Sequence, residues 1–154
     1  MLRPATPADL DALCHLEDAC FRERRFKRDH VAWILQHPGA FTIVDADGGV
    51  RAAVMALVGD GVSRVLSVAV LPAFRRRGLG RALMEAAEAL SLNRGARTVQ
   101  LEVGVTNVAA IALYRALGYR SDGRLPGYYS WGEDALSMAK PLVETRAEIH
   151  RAQF

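Results

Sequence analysis

This chain of 154 residues has little cysteine, almost no lysine and no long apolar run. The only cysteines, Cys14 and Cys20, have no second cluster of ligand residues near them. That excludes the spacing of a structural zinc site. They are expected to be two free thiols on one helix, because a disulfide does not suit a cytosolic chain. No apolar stretch approaches the roughly 18 residues that a membrane span needs. Met1-Leu2-Arg3-Pro4 leads to Asp9 and Asp11 before any apolar segment, which does not fit a secretory leader. Cytoplasmic location, without a membrane, is therefore expected. Repeats, low-complexity tracts and linkers are also missing. One domain over residues 1–141 is expected, with 142–154 as a polar, helix-compatible tail.

What is present is globular: 51% hydrophobic and 24% charged residues. Twenty basic against seventeen acidic residues leave a net charge of +3. Lys27 and Lys140 are the only lysines, so the positive charge is almost all arginine. Arg75-Arg76-Arg77 alone could account for the excess. Two explanations stay open at this point: codon usage, or an anionic ligand gathered at one basic site. The excess is too small to call for a nucleic-acid partner.

Hydrophobic patterning alternates strands and helices. Leu2–Ala5 reads as a short strand, with Thr6 as a helix cap, Pro7 at the first helical position and Asp9 in the first turn. Leu10, Leu13, Leu16 and Cys20 mark one helical face. The basic segment Arg22–Arg28 leads into a second helix over residues 29–36. Residues 40–44 and 50–58 are strands around an Asp45–Gly49 turn. Residues 62–71 form a third strand after Gly59-Asp60-Gly61. A helix follows from Leu79, then a strand over 98–103. Asn107 caps a helix that ends at Gly118. Residues 119–125 and 135–141 are the last strands. The order βααβββαβαββ predicts an α/β (α+β) fold, with helices flanking a mixed, mostly antiparallel sheet.

The segment from Leu66 to Met84 carries the chemistry. It runs from apolar strand to Arg75-Arg76-Arg77-Gly78-Leu79-Gly80-Arg81 to helix. Glycines let backbone N–H groups approach a ligand, and a helix N-terminus adds partial positive charge. Arginines suit phosphate oxygens. A P-loop would need Lys-Ser/Thr where Arg81-Ala82 stands. A dinucleotide fingerprint would want Gly or Ala where Leu83 stands, and a βαβ unit instead of a meander upstream. An ordinary basic strand-to-helix turn is the plain alternative.

Arg75-x-x-Gly78-x-Gly80 after an apolar strand resembles the acetyl-CoA loop of the GNAT N-acetyltransferase superfamily. Leu101-Glu102-Val103, with Asn107 through Tyr119, resembles that family's second block. Gly127 through Met138 is similar to the RimI branch, the ribosomal-protein alanine N-acetyltransferases. The resemblance is specific over about residues 62–141, and earlier residues follow only the element order. It implies the GNAT fold and acetyl-CoA as cofactor. By the same carry-over, backbone groups of Val68, Ala69 and Val70 would hold the pantetheine arm. Arg75, Arg76, Arg77, Gly78, Leu79, Gly80 and Arg81 would cradle the pyrophosphate. Asn107 would bond the cofactor. Glu102 would be the general base, directly or through water, and Tyr114 the general acid.

Each residue also has a plainer reading. Glu102 fits an ion-paired strand residue, Tyr114 a core aromatic and Asn107 a helix cap. Tyr128-Tyr129 fits either a surface loop or a peptide-pocket wall. Asp134 reads as structural, and His15, His30, His37 and His150 lack any motif. Gly104-Val105-Thr106 departs from the more polar link of the RimI branch. The expected activity is acetyl transfer to a primary amine by direct attack on the thioester. A protein N-terminal α-amine is the first choice, and a small-molecule amine or amino acid the alternative. A non-catalytic acyl-CoA sensor is the rival from another class.

Overall fold

A computed structural model describes residues 1–142. Seven strands form one sheet in the order β1-β2-β3-β4-β5-β7-β6. They are β1 (Leu2–Pro4), β2 (Ala40–Ala46), β3 (Val50–Gly59), β4 (Val62–Val70), β5 (Thr98–Gly104), β6 (Arg120–Leu125) and β7 (Ala135–Pro141). The helices are α1 (Leu10–Phe21), α2 (Arg28–Gln36), α3 (Leu79–Asn93) and α4 (Val108–Ala116). The element order and the mixed sheet are those expected: β4 and β5 run parallel, and the other neighbours antiparallel. His150 and the tail from residue 143 lie outside the described residues. No helix among those described is long and apolar enough to cross a membrane.

Both faces of the sheet are covered, which is why β3 reads as a nearly continuous apolar run. Side chains alternate across a strand. Ala52, Val54 and Ala56 pack with Leu83, Met84 and Ala87 of α3. Ala53 points the other way, to Leu13 and Leu16 of α1 and Val31 of α2. The start of α1 differs from expectation. A short 3-10 turn, Pro7–Asp9, precedes it. Asp9 there accepts from the Thr6 N–H at 2.8 Å and from both ends of the Arg3 guanidinium. That guanidinium lowers the Asp9 carboxyl to about 2.

The feature that makes a site is a divergence of strands. β4 and β5 pair only at Val62–Arg64 with Thr98–Gln100. β4 carries an extra residue, Leu66, because Met55 faces Ser67 while Ala56 faces Val65. Such a bulge bends its strand. Beyond it, Val68–Val70 stay paired with β3 on one edge only. Their other edge borders an opening between β4 and β5.

Candidate active site

Two cavities meet at this opening. The larger, about 1010 Å³, is bordered by Val68, Ala69 and Val70 and by Arg75, Arg76, Gly78, Leu79, Gly80 and Arg81. Asn107 and Tyr114 border it from the α4 side. The smaller, about 220 Å³, includes Glu17, Glu102, Tyr114, Tyr129 and Glu133. Val68, Asn107 and Tyr114 belong to both. The structure thus brings together nearly all residues singled out in the sequence.

The glycine loop is built for an anion. Gly78 is the residue before α3 and has φ of +77°, a left-handed conformation that suits glycine. A Cβ on it would meet no atom within 4 Å, so its face opens on the cavity. The first helical bond is Ala82 N–H to Gly78 O, at 3.0 Å. The preceding N–H groups of Leu79, Gly80 and Arg81 have no place in the helical ladder and are free to meet phosphate oxygens. The arginine side chains are less simply arranged. Arg75 Nε donates to Val70 O at 2.9 Å, and Arg81 pairs with Glu85 at 3.0 Å. Arg77 is absent from the cavity wall, and its guanidinium lies 5.3 Å from the Phe74 ring centre. The cradle is therefore mainly backbone, with Arg76 and its neighbours adding field.

Glu102 sits on β5 beside the smaller cavity and pairs with Arg64 at 2.6 Å. The same Arg64 nitrogen donates to the Tyr128 hydroxyl at 2.9 Å. The ion-paired reading and a place in the site thus coincide at one residue. Tyr114 is buried, and burial pushes its phenol up to about 12. Asn107 is the cap of α4, its side chain accepting from Ala110 N–H at 3.2 Å. It borders the larger cavity as well, so its two readings are compatible.

Several groups here carried no signal of their own in the sequence. Glu133 accepts from Trp131 Nε1 at 2.9 Å, from Thr106 N–H at 3.1 Å and from Arg24 at 3.2 Å. Arg24 also covers the Trp131 ring at 4.5 Å. This bond set ties the β6–β7 loop and the α1–α2 segment across the mouth of the smaller cavity. A Cβ at Gly104 would come 2.5 Å from the Glu133 carboxylate, so a larger residue there would displace that side chain. The departure at Gly104-Val105-Thr106 is thus where the loop is pinned. Asp134, read as structural, accepts from Gly127 N–H and Arg124 Nε, both at 2.8 Å. Tyr129 stacks on Trp131 at 4.5 Å. Cys14 and Cys20 are free thiols on α1, and burial pushes both up. His15 and His30 lie on exposed positions outside both cavities.

This fold, with an anion loop beside a split between parallel strands, defines an acyl-CoA acyltransferase architecture. The chain belongs to the Acetyltransferase (GNAT) family, whose match spans residues 10–119. It is similar to the N-alpha-acetyltransferase of Sulfolobus acidocaldarius, 32% identical over 154 aligned positions covering 92% of each chain. It also resembles the solved ribosomal-protein-S18-alanine N-acetyltransferase of Escherichia coli. There the TM-score is 0.86 and identity 30%, over 94% of this chain and 95% of the other. An aminoglycoside 6'-N-acetyltransferase complexed with coenzyme A shares the fold, with a TM-score of 0.82 at 17% identity over 94% and 98%. The protein is an N-acetyltransferase that takes its acetyl group from acetyl-CoA.

Proposed function

We propose that the acceptor is the α-amine of a protein N-terminus. The observation that carries this reading is the meeting of two cavities at Tyr114, with Glu102 in the smaller one alone. One side suits an anionic cofactor and the other an amine beside a carboxylate. The names of the archaeal and ribosomal-protein relatives support a peptide acceptor. So does a mouth walled by Tyr129 and Trp131, aromatic groups that can lie along a peptide. Residues 1–141 are read as one acetyltransferase domain, since β1 and β7 belong to the same sheet.

Acetyl-CoA supplies an activated thioester carbonyl. The edge of Val68–Val70 away from β3, where the Val70 carbonyl already accepts from Arg75, and the loop N–H groups hold the cofactor in place. Glu102, oriented by Arg64, takes the proton of the amine directly or through one water. The amine nitrogen bonds the acetyl carbon, and the carbon–sulfur bond breaks. Tyr114 keeps its proton through the working pH range because burial has raised it. The same burial raises the proton affinity of a sulfur leaving beside it. The phenol can then pass from hydrogen bonding to proton donation. No covalent enzyme intermediate is needed, and two raised thiols would make poor nucleophiles. Holding both reactants in one opening supplies much of the rate.

Coenzyme A release with N-terminal peptides and small amines tests the acceptor. Turnover of peptides is expected. Turnover of small amines alone would move the acceptor to the small-molecule class, and tight acetyl-CoA binding without any turnover would make the chain a sensor.

Glu102→Gln tests the base. An α-amine has a pKa of about 7.7–8.0, so the free amine becomes abundant without help as pH rises. The expected fall in kcat is about 10²-fold at pH 7, narrowing to about tenfold at pH 9. A pH–rate profile identical to that of the unaltered enzyme would remove Glu102 as base.

A further inference from the structure

Glu17 is a buried carboxylate that the chemistry above does not use and, unlike buried Asp9 and Asp45, it is not paired with arginine. It stands on the apolar face of α1, one turn after Leu13, and is 2% exposed. A carboxylate in such surroundings is costly unless it is hydrogen-bonded. Both of its oxygens are bonded, yet its bonding partners are neither lysine nor arginine. Oε1 accepts from the Phe26 N–H at 2.9 Å, and Oε2 from the Ser67 hydroxyl at 2.7 Å. These partners lie 9 and 50 residues away along the chain. One side chain thus joins three segments: α1, the loop between α1 and α2, and β4 immediately after its bulge.

What the loop carries gives that junction its meaning. Arg22, at its start, has φ of +51° and ψ of −117°, a conformation strained for a non-glycine residue that persists only where the surrounding structure supports it. Arg24 reaches across the mouth of the smaller cavity to Glu133 and Trp131. Phe21 and Phe26 form part of the same wall. Ser67 adjoins Val68 on the cofactor strand. The two hydrogen bonds of Glu17 link this wall to that strand.

We propose that Glu17 is a positioning residue for the acceptor, fixing the loop over residues 22–27 against β4 so that the amine cavity keeps its shape. A residue serving only as core would be replaceable here. Replacing a whole buried ionic network by apolar side chains is often neutral or stabilising, whereas removing only the acceptor leaves the Phe26 N–H and the Ser67 hydroxyl unpaired. Retaining a carboxylate at this point is explained by the polar groups it holds.

The inference rests on the smaller cavity being the amine site. It is therefore measured with whichever acceptor the unaltered enzyme acetylates, peptide or small amine. A failed peptide assignment then leaves this test intact. Glu17→Met keeps the volume and removes both bonds. Its expected signature is a KM for the acceptor raised about tenfold, equivalent to losing about 1.4 kcal/mol of binding. The KM for acetyl-CoA is expected to stay within about twofold and Tm to fall modestly, because the Phe26 N–H and the Ser67 hydroxyl lose their acceptor. Glu17→Gln can still accept from Phe26 N–H and bond Ser67, and is expected to restore acceptor KM to within about threefold. Ser67→Ala removes one bond of the pair. It is expected to raise acceptor KM about threefold, and it decides the matter if Glu17→Met does not fold. The proposal is overturned if acceptor KM stays normal in the folded variants, if both KM values rise together, or if Glu17→Gln is as impaired as Glu17→Met.

Discussion

Tyr114→Phe is expected to lower kcat by about 10²-fold while leaving the Kd for acetyl-CoA within about twofold. The ring would stay where it is. Tyr114 is buried with Ile111, Leu117 and Tyr119 in the core beneath the sheet opening, and its ring meets Tyr119 edge-on at 5.9 Å. Phenylalanine preserves that packing, so Tm should change little. Only the hydroxyl is lost, from a residue that borders both cavities. A phenol raised to about 12 remains protonated at any pH in which the enzyme is assayed. The loss should therefore be the same at pH 7 and pH 9, unlike the loss from Glu102→Gln. Stopped-flow or steady-state turnover at saturating acetyl-CoA measures it. Unchanged kcat would leave Tyr114 as a core aromatic and nothing more.

Gly78→Asp is expected to weaken acetyl-CoA binding by about 100-fold, and Gly78→Asn by about tenfold. Two effects are separable here. Any side chain at φ of +77° is strained, and the cost of a left-handed residue is about 1–2 kcal/mol, or roughly five- to thirtyfold. Aspartate adds a negative charge where a helix N-terminus and several arginines favour an anion. The Cβ projects into open space, so nothing in the protein must move. An acidic residue at the start of a helix is moreover favourable for that helix. Affinity should thus fall while the fold persists, with Asp well below Asn. Calorimetric titration with acetyl-CoA and a melting curve check both. Equal affinities for Gly78→Asp and Gly78→Asn would show that charge at this loop does not matter, and an affinity equal to that of the unaltered protein would end the loop assignment.

The glycine loop illustrates what was legible in the sequence. Gly78 and Gly80 mark it directly, because backbone conformation and close approach are local demands written in single residues. The cap at Asn107 and the order of strands and helices are local as well. The modest basic excess also finds a place, since Arg75, Arg76 and Arg81 border the larger cavity. Yet Arg77 could not be told apart from its neighbours: its turn toward Phe74 depends on side-chain packing. Arg64, Glu133 and Arg24 carried no motif. Their bonds join residues 38 and 109 positions apart, distances over which no spacing rule operates. Glu17 was not singled out in the sequence: its burial and its bonds to the Phe26 N–H and Ser67 are set by packing between segments far apart in the chain.

The sequence by itself determined the class of fold and marked the glycine loop, because periodicity, turn chemistry and helix capping act over a few residues; the candidate acid and base came only with the resemblance to the GNAT family. Only the tertiary structure decided where the smaller cavity lies and what borders its mouth. The bulge at Leu66 and the short pairing of β4 with β5 open the sheet, and loops distant in the chain then meet across the gap. That arrangement is set by strand register and by the balance of burying carboxylates against hydrogen-bonding them. Both are properties of the packed chain and not of any single segment.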